Sequence, residues 1–221
     1  MLQRMSNKTY NQYCAIAEAL DRVGERWTLL IIRNLLAGPK RFSDLLKGLP
    51  GISTNILTDR LKALEEDAVI ITRYLPPPAA STVYELTPSG YGLVGALSAL
   101  AQWGAQSLGT PQAGQTVVAE SVIFMILGVF WRQSAFPEPV TCNFHVQDAC
   151  YDHVFGVMLD TGARIKDQPL DDAEVRLVSD LETLLRLSSK QLRLADTVEA
   201  GRVRLEGEPQ PRALLIQWAD S

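Results

Sequence analysis

The sequence predicts an α+β chain of two units, and three observations carry that prediction. Across residues 39–74 two helical periods flank a Gly-Pro turn and run into a β-branched segment. Beyond residue 116 an apolar helical run precedes alternating strands and amphipathic helices. Between these blocks, residues 108–115 (LGTPQAGQ) are small, polar and turn-prone, the composition of a linker. The expected division is therefore 1–107, a linker at 108–115, and 116–221.

Taken in order, Cys14 precedes an expected helix over residues 16–23. A short helix is expected at 42–47, with Phe42, Leu45 and Leu46 on one face. Gly48, Pro50 and Gly51 stop it, and Ser53 is a suitable N-cap for the next helix. That helix places Ile56, Leu57, Leu61 and Leu64 on one stripe, with Thr54, Asn55, Thr58, Asp59 and Lys62 opposite. Residues 69–75 and 83–87 are strand-like, and the intervening 76–82 segment holds three prolines. Helix, turn, polar-faced helix and hairpin form a winged helix-turn-helix, whose second helix enters a DNA major groove. Thr87 and Pro88 then open a helix carrying Leu93, Leu97, Leu100 and Ala101 on one face and ending near Gly104.

The expected partner is double-stranded DNA. Ser53, Thr54, Asn55 and Thr58 lie where a recognition helix reaches bases and phosphates, Ser53 also serving as the cap. Lys40, Arg41 and Ser43 open the preceding helix, where side chains and backbone N–H groups hold a phosphate together. Lys62 and Arg73 read equally as phosphate contacts or solvated charges, and Arg60 as a DNA contact or a core-edge ion pair. The net charge of −4 is unevenly spread. Residues 1–107 hold eleven Lys/Arg against nine Asp/Glu, and residues 108–221 hold ten against sixteen. A DNA binder needs a local basic surface, and the acidic half suits a position away from DNA.

In the second half, residues 116–131 read as a buried helix, 141–146, 154–159 and 173–178 as strands, and 160–164 as a hairpin turn. Ser179 is the expected cap of a helix through Leu181, Leu184, Leu185 and Leu187, with a further helix near 192–199. The longest apolar run, 122–131, is far short of a bilayer span, and the first ten residues carry no secretory core. Three cysteines without metal-ligand spacing suit a reducing cytoplasm. His145 and His153 lack a third ligand nearby, so no metal site is expected. No nucleophile–base set, phosphate loop or carboxylate pair stands out, and neither catalysis nor a cofactor is expected.

Residues 13–104 resemble the HxlR-type family of winged helix regulators. The resemblance rests on Tyr13-Cys14, on GERWTLLI from Gly24, RFSDL from Arg41 and LPGIS from Leu49, then LTDRLKALE from Leu57 and YELTPSG from Tyr84. It implies a homodimer formed through residues 12–23 and 88–104, reading a near-palindromic operator. It also implies that Cys14, ahead of a helix that would favour thiolate, is either a redox or electrophile sensor or a small residue at the dimer interface. The wing departs from the family pattern in its triple proline and its lack of an arginine near the tip.

The second half resembles the tail of a sterol-carrier-protein-2-like (SCP2-like) domain, through AEVRL from Ala173, DLETLL from Asp180, Ala195-Asp196, and GRVRLEGEP from Gly201. That resemblance implies an apolar tunnel for a lipid or other hydrophobic small molecule. Phe124, Phe130, Trp131, Phe144, Phe155, Met158, Leu184, Leu185 and Trp218 are its candidate lining, or else simply fill a core. The resulting expectation is a cytoplasmic DNA-binding regulator modulated by an apolar ligand. The alternatives are a thiol switch at Cys14 and a lipid carrier that retains a winged helix.

Overall fold

Apolar stripes at helical spacing build the first part of the computed structural model, which describes residues 9–78, 80–108, 115–130, 136–149, 151–160 and 163–221. The chain divides into two units, 1–94 and 95–221. In the first, α1 (Ala15–Val23), α2 (Thr28–Leu36), α3 (Phe42–Lys47) and α4 (Thr54–Glu66) precede an antiparallel hairpin of β1 (Ile70–Leu75) and β2 (Ser81–Leu86). Ile31, Ile32 and Leu35 of α2, Leu45 of α3, Leu57, Leu61 and Leu64 of α4, and Ile70 and Val83 of the hairpin are buried together as this unit's core. Ser81 and Thr82, expected in the proline-rich connection, instead begin β2, where Ser81 pairs with Leu75.

The helix expected over 88–104 is two helices, α5 (Pro88–Tyr91) and α6 (Val94–Leu108). Thr87 caps α5 as expected, its hydroxyl accepting the Gly90 N–H at 3.1 Å. Gly104 does not end α6. A Cβ there would meet only open space, and a glycine inside a helix costs only about 1 kcal/mol. The division between units falls at the start of α6, ahead of the expected 108–115 linker, most of which lies outside the described residues.

The second unit continues with α7 (Ala119–Phe130), β3 (Val140–Asp148), β4 (Tyr151–Leu159), β5 (Ala163–Lys166), β6 (Val175–Ser179), α8 (Leu181–Ser188), α9 (Leu194–Glu199), β7 (Arg204–Gly207) and α10 (Pro209–Asp220). The five strands form one sheet in the order β5-β4-β3-β6-β7, antiparallel except where β3 meets β6. Strand side chains alternate between faces. Val140, Cys142, Phe144 and Val146 share the inner face with Phe155, Val157, Leu159, Val175 and Leu177, and all are buried. On that face α7 packs against α8 and β5, α8 against β3, and α10 against β7. The cap of α8 is Asp180, whose carboxylate accepts the Thr183 N–H at 2.6 Å. Ser179, the expected cap, is buried at the end of β6.

The expected tunnel residues part company. Phe130, Phe144, Phe155 and Leu184 are buried in the interior, and the Phe130 and Phe144 rings meet edge-on at 6.3 Å. Trp218 is half-buried beside them, its indole N–H donating to the Phe130 carbonyl at 3.0 Å. Phe124 and Leu185 are also half-buried. Met158 pairs with Thr141 while Phe155 pairs with Phe144, so Met158 lies on the opposite face and does not line the same space. Trp131 and Cys150 lie outside the described residues. An open groove of about 540 Å³ lies elsewhere, among Glu138, Glu174, Glu208, Pro209 and Leu214, and none of the nine expected residues lines it. By the same alternation, His145 and His153 face opposite sides of the sheet. Among the described residues no three His, Cys, Asp or Glu gather as a metal set.

Candidate DNA-binding interface

The turn that presents α4 is held from below. Asn34 of α2 has no exposed surface, and its amide donates to the Gly48 carbonyl at 3.2 Å. Its own oxygen accepts two N–H groups from the adjacent Arg33. Leu49 and Ile52 bury the turn's apolar side chains, and Gly51 takes the left-handed conformation that glycine alone adopts without strain. Ser53 then caps α4, its hydroxyl accepting the Ile56 N–H at 3.3 Å.

This support orients the two faces of α4. Leu57, Leu61 and Leu64 are buried, whereas Thr54, Asn55, Thr58, Asp59 and Lys62 are exposed. Ile56 was expected on the buried stripe but is 39 % exposed, because residues 57, 61 and 64 already complete that stripe. An exposed isoleucine on a groove-reading helix offers an apolar contact to a thymine methyl group. Thr58 donates its hydroxyl to the Thr54 carbonyl at 2.9 Å, so toward a base it can only accept. Arg60 sits at the core edge, 3.5 Å from Glu25 in the α1–α2 connection.

The flanking residues differ in exposure and in their partners. Arg41 and Ser43 are exposed at the start of α3, where the Arg41 N–H donates to Asp44 at 3.3 Å. Lys40 joins the wing through its backbone, exchanging two hydrogen bonds with Tyr84 of β2. Lys62 is exposed and 3.9 Å from Glu66 one turn later. Arg73, a candidate phosphate contact, is bound across the wing to Glu85 at 2.7 Å, so its charge is largely spent within the hairpin. Sequence reasoning missed Asn34 and Ile56 as site residues, since a lone amide inside an apolar helix and one more isoleucine on a stripe carry no local signal.

Cys14 lies apart from this surface, at the N-cap of α1, fully exposed. Its thiol pKa is lowered by the backbone N–H of Ala17 first and of Ile16 second. Cys142 is the opposite case, pushed up to about 12 by burial in the sheet interior.

Residues 22–112 match the family described as HxlR-like helix-turn-helix. The HTH-type transcriptional regulator YodB of Bacillus subtilis is 34 % identical over 111 residues, covering 50 % of this chain and 96 % of that protein. An uncharacterised regulator of the same organism, YtcD, is 33 % identical over 123 residues, covering 54 % and 94 %. Among solved structures, reduced YodB of B. subtilis is similar over 46 % of this chain and all of its own, with 32 % identity and a TM-score of 0.40. YodB has also been solved in diamide-treated and quinone-bound forms. The family match covers the helix-turn-helix and the wing, nearly the whole length of YodB is covered, and the chain belongs to the HxlR-type family of helix-turn-helix transcriptional regulators.

Proposed function

We propose that the protein reads a near-palindromic operator as a homodimer, without catalysis, in the cytoplasm. The observation that carries this reading is α4 itself, with three leucines buried on one side and Thr54, Asn55, Thr58 and Lys62 exposed on the other. Lys40, Arg41, Ser43, Ser53 and Arg73 complete the proposed contact set, Arg73 in competition with Glu85. Exposed apolar side chains on two elements support the dimer: Tyr13, Ile16 and Leu20 at α1, and Leu100, Trp103 and Leu108 on α6. A monomer leaving such side chains in water forgoes the free energy of burying them. The test is operator selection from random DNA followed by titration with Asn55→Ala. Selection of a two-fold-related sequence, with affinity lost in the variant, is expected. Uniform binding without a preferred sequence supports the lipid-carrier alternative instead.

In the same proposal the second unit is SCP2-like and binds an apolar effector between the inner face of its sheet and α7 and α8. The aromatic interior of Phe130, Phe144 and Phe155 supports it. Native mass spectrometry of freshly purified protein tests both points, since a dimer and a co-purifying lipophile are each read directly.

A second reading is a thiol switch. An exposed Cys14 whose thiolate is favoured by two helix N–H groups suits reaction with oxidants or electrophiles, and the sequence relative YodB has been captured with quinone bound. Cys14→Ser should abolish any response of operator binding to diamide, and an unchanged response in that variant refutes the switch.

A further inference from the structure

The outer face of the second unit's sheet carries an ordered polar chain that the DNA reading does not use. An Nη2 N–H of Arg176 on β6 lies 3.1 Å from Nδ1 of His145 on β3. Nε2 of the same ring lies 2.6 Å from Oδ1 of Asp152 on β4. A guanidinium can only donate, so Nδ1 must be the acceptor, and the ring's hydrogen sits on Nε2, where it donates to the Asp152 carboxylate. The chain therefore has one direction, from Arg176 through His145 to Asp152. The His145 side chain is only 12 % exposed, so the ring is held by the sheet, and it holds the arginine in turn.

The surroundings complete a small site. His145 is directly opposite Val154 on β4 and Val178 on β6, and both valines are half-buried on this outer face. Beside them, Leu170 closes over the next rung. Its N–H donates to the Asn143 side chain at 2.8 Å, and its carbonyl accepts from the same amide at 2.9 Å. Gly156 permits that approach, since a Cβ there would lie 2.7 Å from the Leu170 side chain. Arg176 is exposed, and His145 is its one hydrogen-bonding or ionic partner among the described residues. One corner of the guanidinium is thus held by His145, which Val154 and Val178 flank, and the arginine is otherwise exposed. Other charged groups share this side: Glu206, opposite Arg176 on β7, Arg204, 4.0 Å from Glu206, and on β5 Lys166, opposite Gly156, and Arg164, opposite Met158.

We propose that Arg176, oriented by His145 and Asp152 above Val154 and Val178, binds a small organic carboxylate with an apolar body on the outer face of the sheet. The planar donor fork matches a carboxylate, and the valine floor takes the rest of the molecule. Asp152 and His145 are positioning residues that touch the arginine's support and not the ligand. This site is separate from the proposed interior effector cavity and does not depend on it.

Benzoate is a suitable probe and benzamide its uncharged counterpart, both titrated into the full-length protein by calorimetry and by amide NMR. Saturable benzoate binding is expected, weaker by on the order of tenfold in Arg176→Gln, the loss of a charge-assisted pair, with benzamide binding no better than that variant allows. Asp152→Ala should also weaken benzoate, whereas Asp152→Asn, which keeps an acceptor for Nε2–H, should restore it. Shift changes should centre on Val154, Arg176 and Val178. Equal affinity in Arg176→Gln, or no saturable binding by the folded wild type, overturns the proposal. Shifts centred on Phe144 and Phe155 overturn it too, and would instead support the interior cavity.

Discussion

At the scale of single residues, burial decides which groups are structural and which are chemical. Asn34 is the sharpest structural case, because a fully buried amide that satisfies the Gly48 carbonyl cannot be removed without orphaning that carbonyl. Asn34→Leu is expected to cost about 1–3 kcal/mol, read from a urea transition, and a change within error would show that the turn closes without it. The cysteines make the chemical case. At neutral pH iodoacetamide should modify exposed Cys14 in the native protein and leave Cys142 untouched until the second unit unfolds, as peptide mapping by mass spectrometry would show. The raised pKa of Cys142 also has a pH consequence. Its thiol ionises near 9 in the unfolded chain but near 12 when folded, so the folded state holds the proton more tightly. The stability this contributes is complete below pH 9 and is lost as pH rises toward 12. Cys142→Ala should flatten that alkaline decline in equilibrium unfolding, and an unchanged slope would assign it to other groups.

At the scale of elements, the helix-turn-helix was legible because its signals are local. The Ser53 cap, the Gly-Pro turn and the leucine spacing of α4 all act within a few residues of the structure they specify. Ile56 escaped because a periodic stripe says which side is buried but not how wide the burial runs. The second unit was legible only in pieces. The parallel pairing of β3 with β6 joins residues more than thirty positions apart, and no local pattern announces it. The outer-face chain of Asp152, His145 and Arg176 depends on that pairing, so in sequence His145 stands out only as a potential metal ligand and Arg176 only within the AEVRL motif. Met158 falls on the other face because strand parity, which composition does not carry, decides which side chains share a space. The join between wing and α5 offers an element-scale test. A Cβ at Gly90 would lie 2.3 Å from the Val69 carbonyl and 2.9 Å from the Leu86 side chain. Gly90→Ala should therefore destabilise the first unit by about 1–3 kcal/mol, whereas Gly104→Ala, into open space, should not. Equal effects in thermal unfolding would contradict this packing.

At the scale of the whole molecule, the two units differ in charge, core and proposed ligand, and these differences should appear as separate thermal behaviour. Each unit buries its own side chains, the first aliphatic ones around α2 and α4 and the second aliphatic and aromatic ones on the inner face of the five-stranded sheet. Units with independent cores unfold as separate cooperative transitions unless binding joins them. Calorimetry of the full chain is expected to resolve two transitions, of which Asn34→Leu lowers one and leaves the other in place. A ligand stabilises the unit it binds in proportion to the logarithm of its concentration over Kd. Operator DNA should therefore raise the transition that Asn34→Leu lowers, and an interior lipophile the other. Control of DNA binding demands more than this separation. If the effector changes operator affinity by some factor, DNA must change effector affinity by the same factor. Measuring the lipophile's Kd with and without saturating operator therefore tests control directly. A difference of five-fold or more, roughly 1 kcal/mol, is the expected result, and identical values would leave two binding functions on one chain with no regulatory link between them.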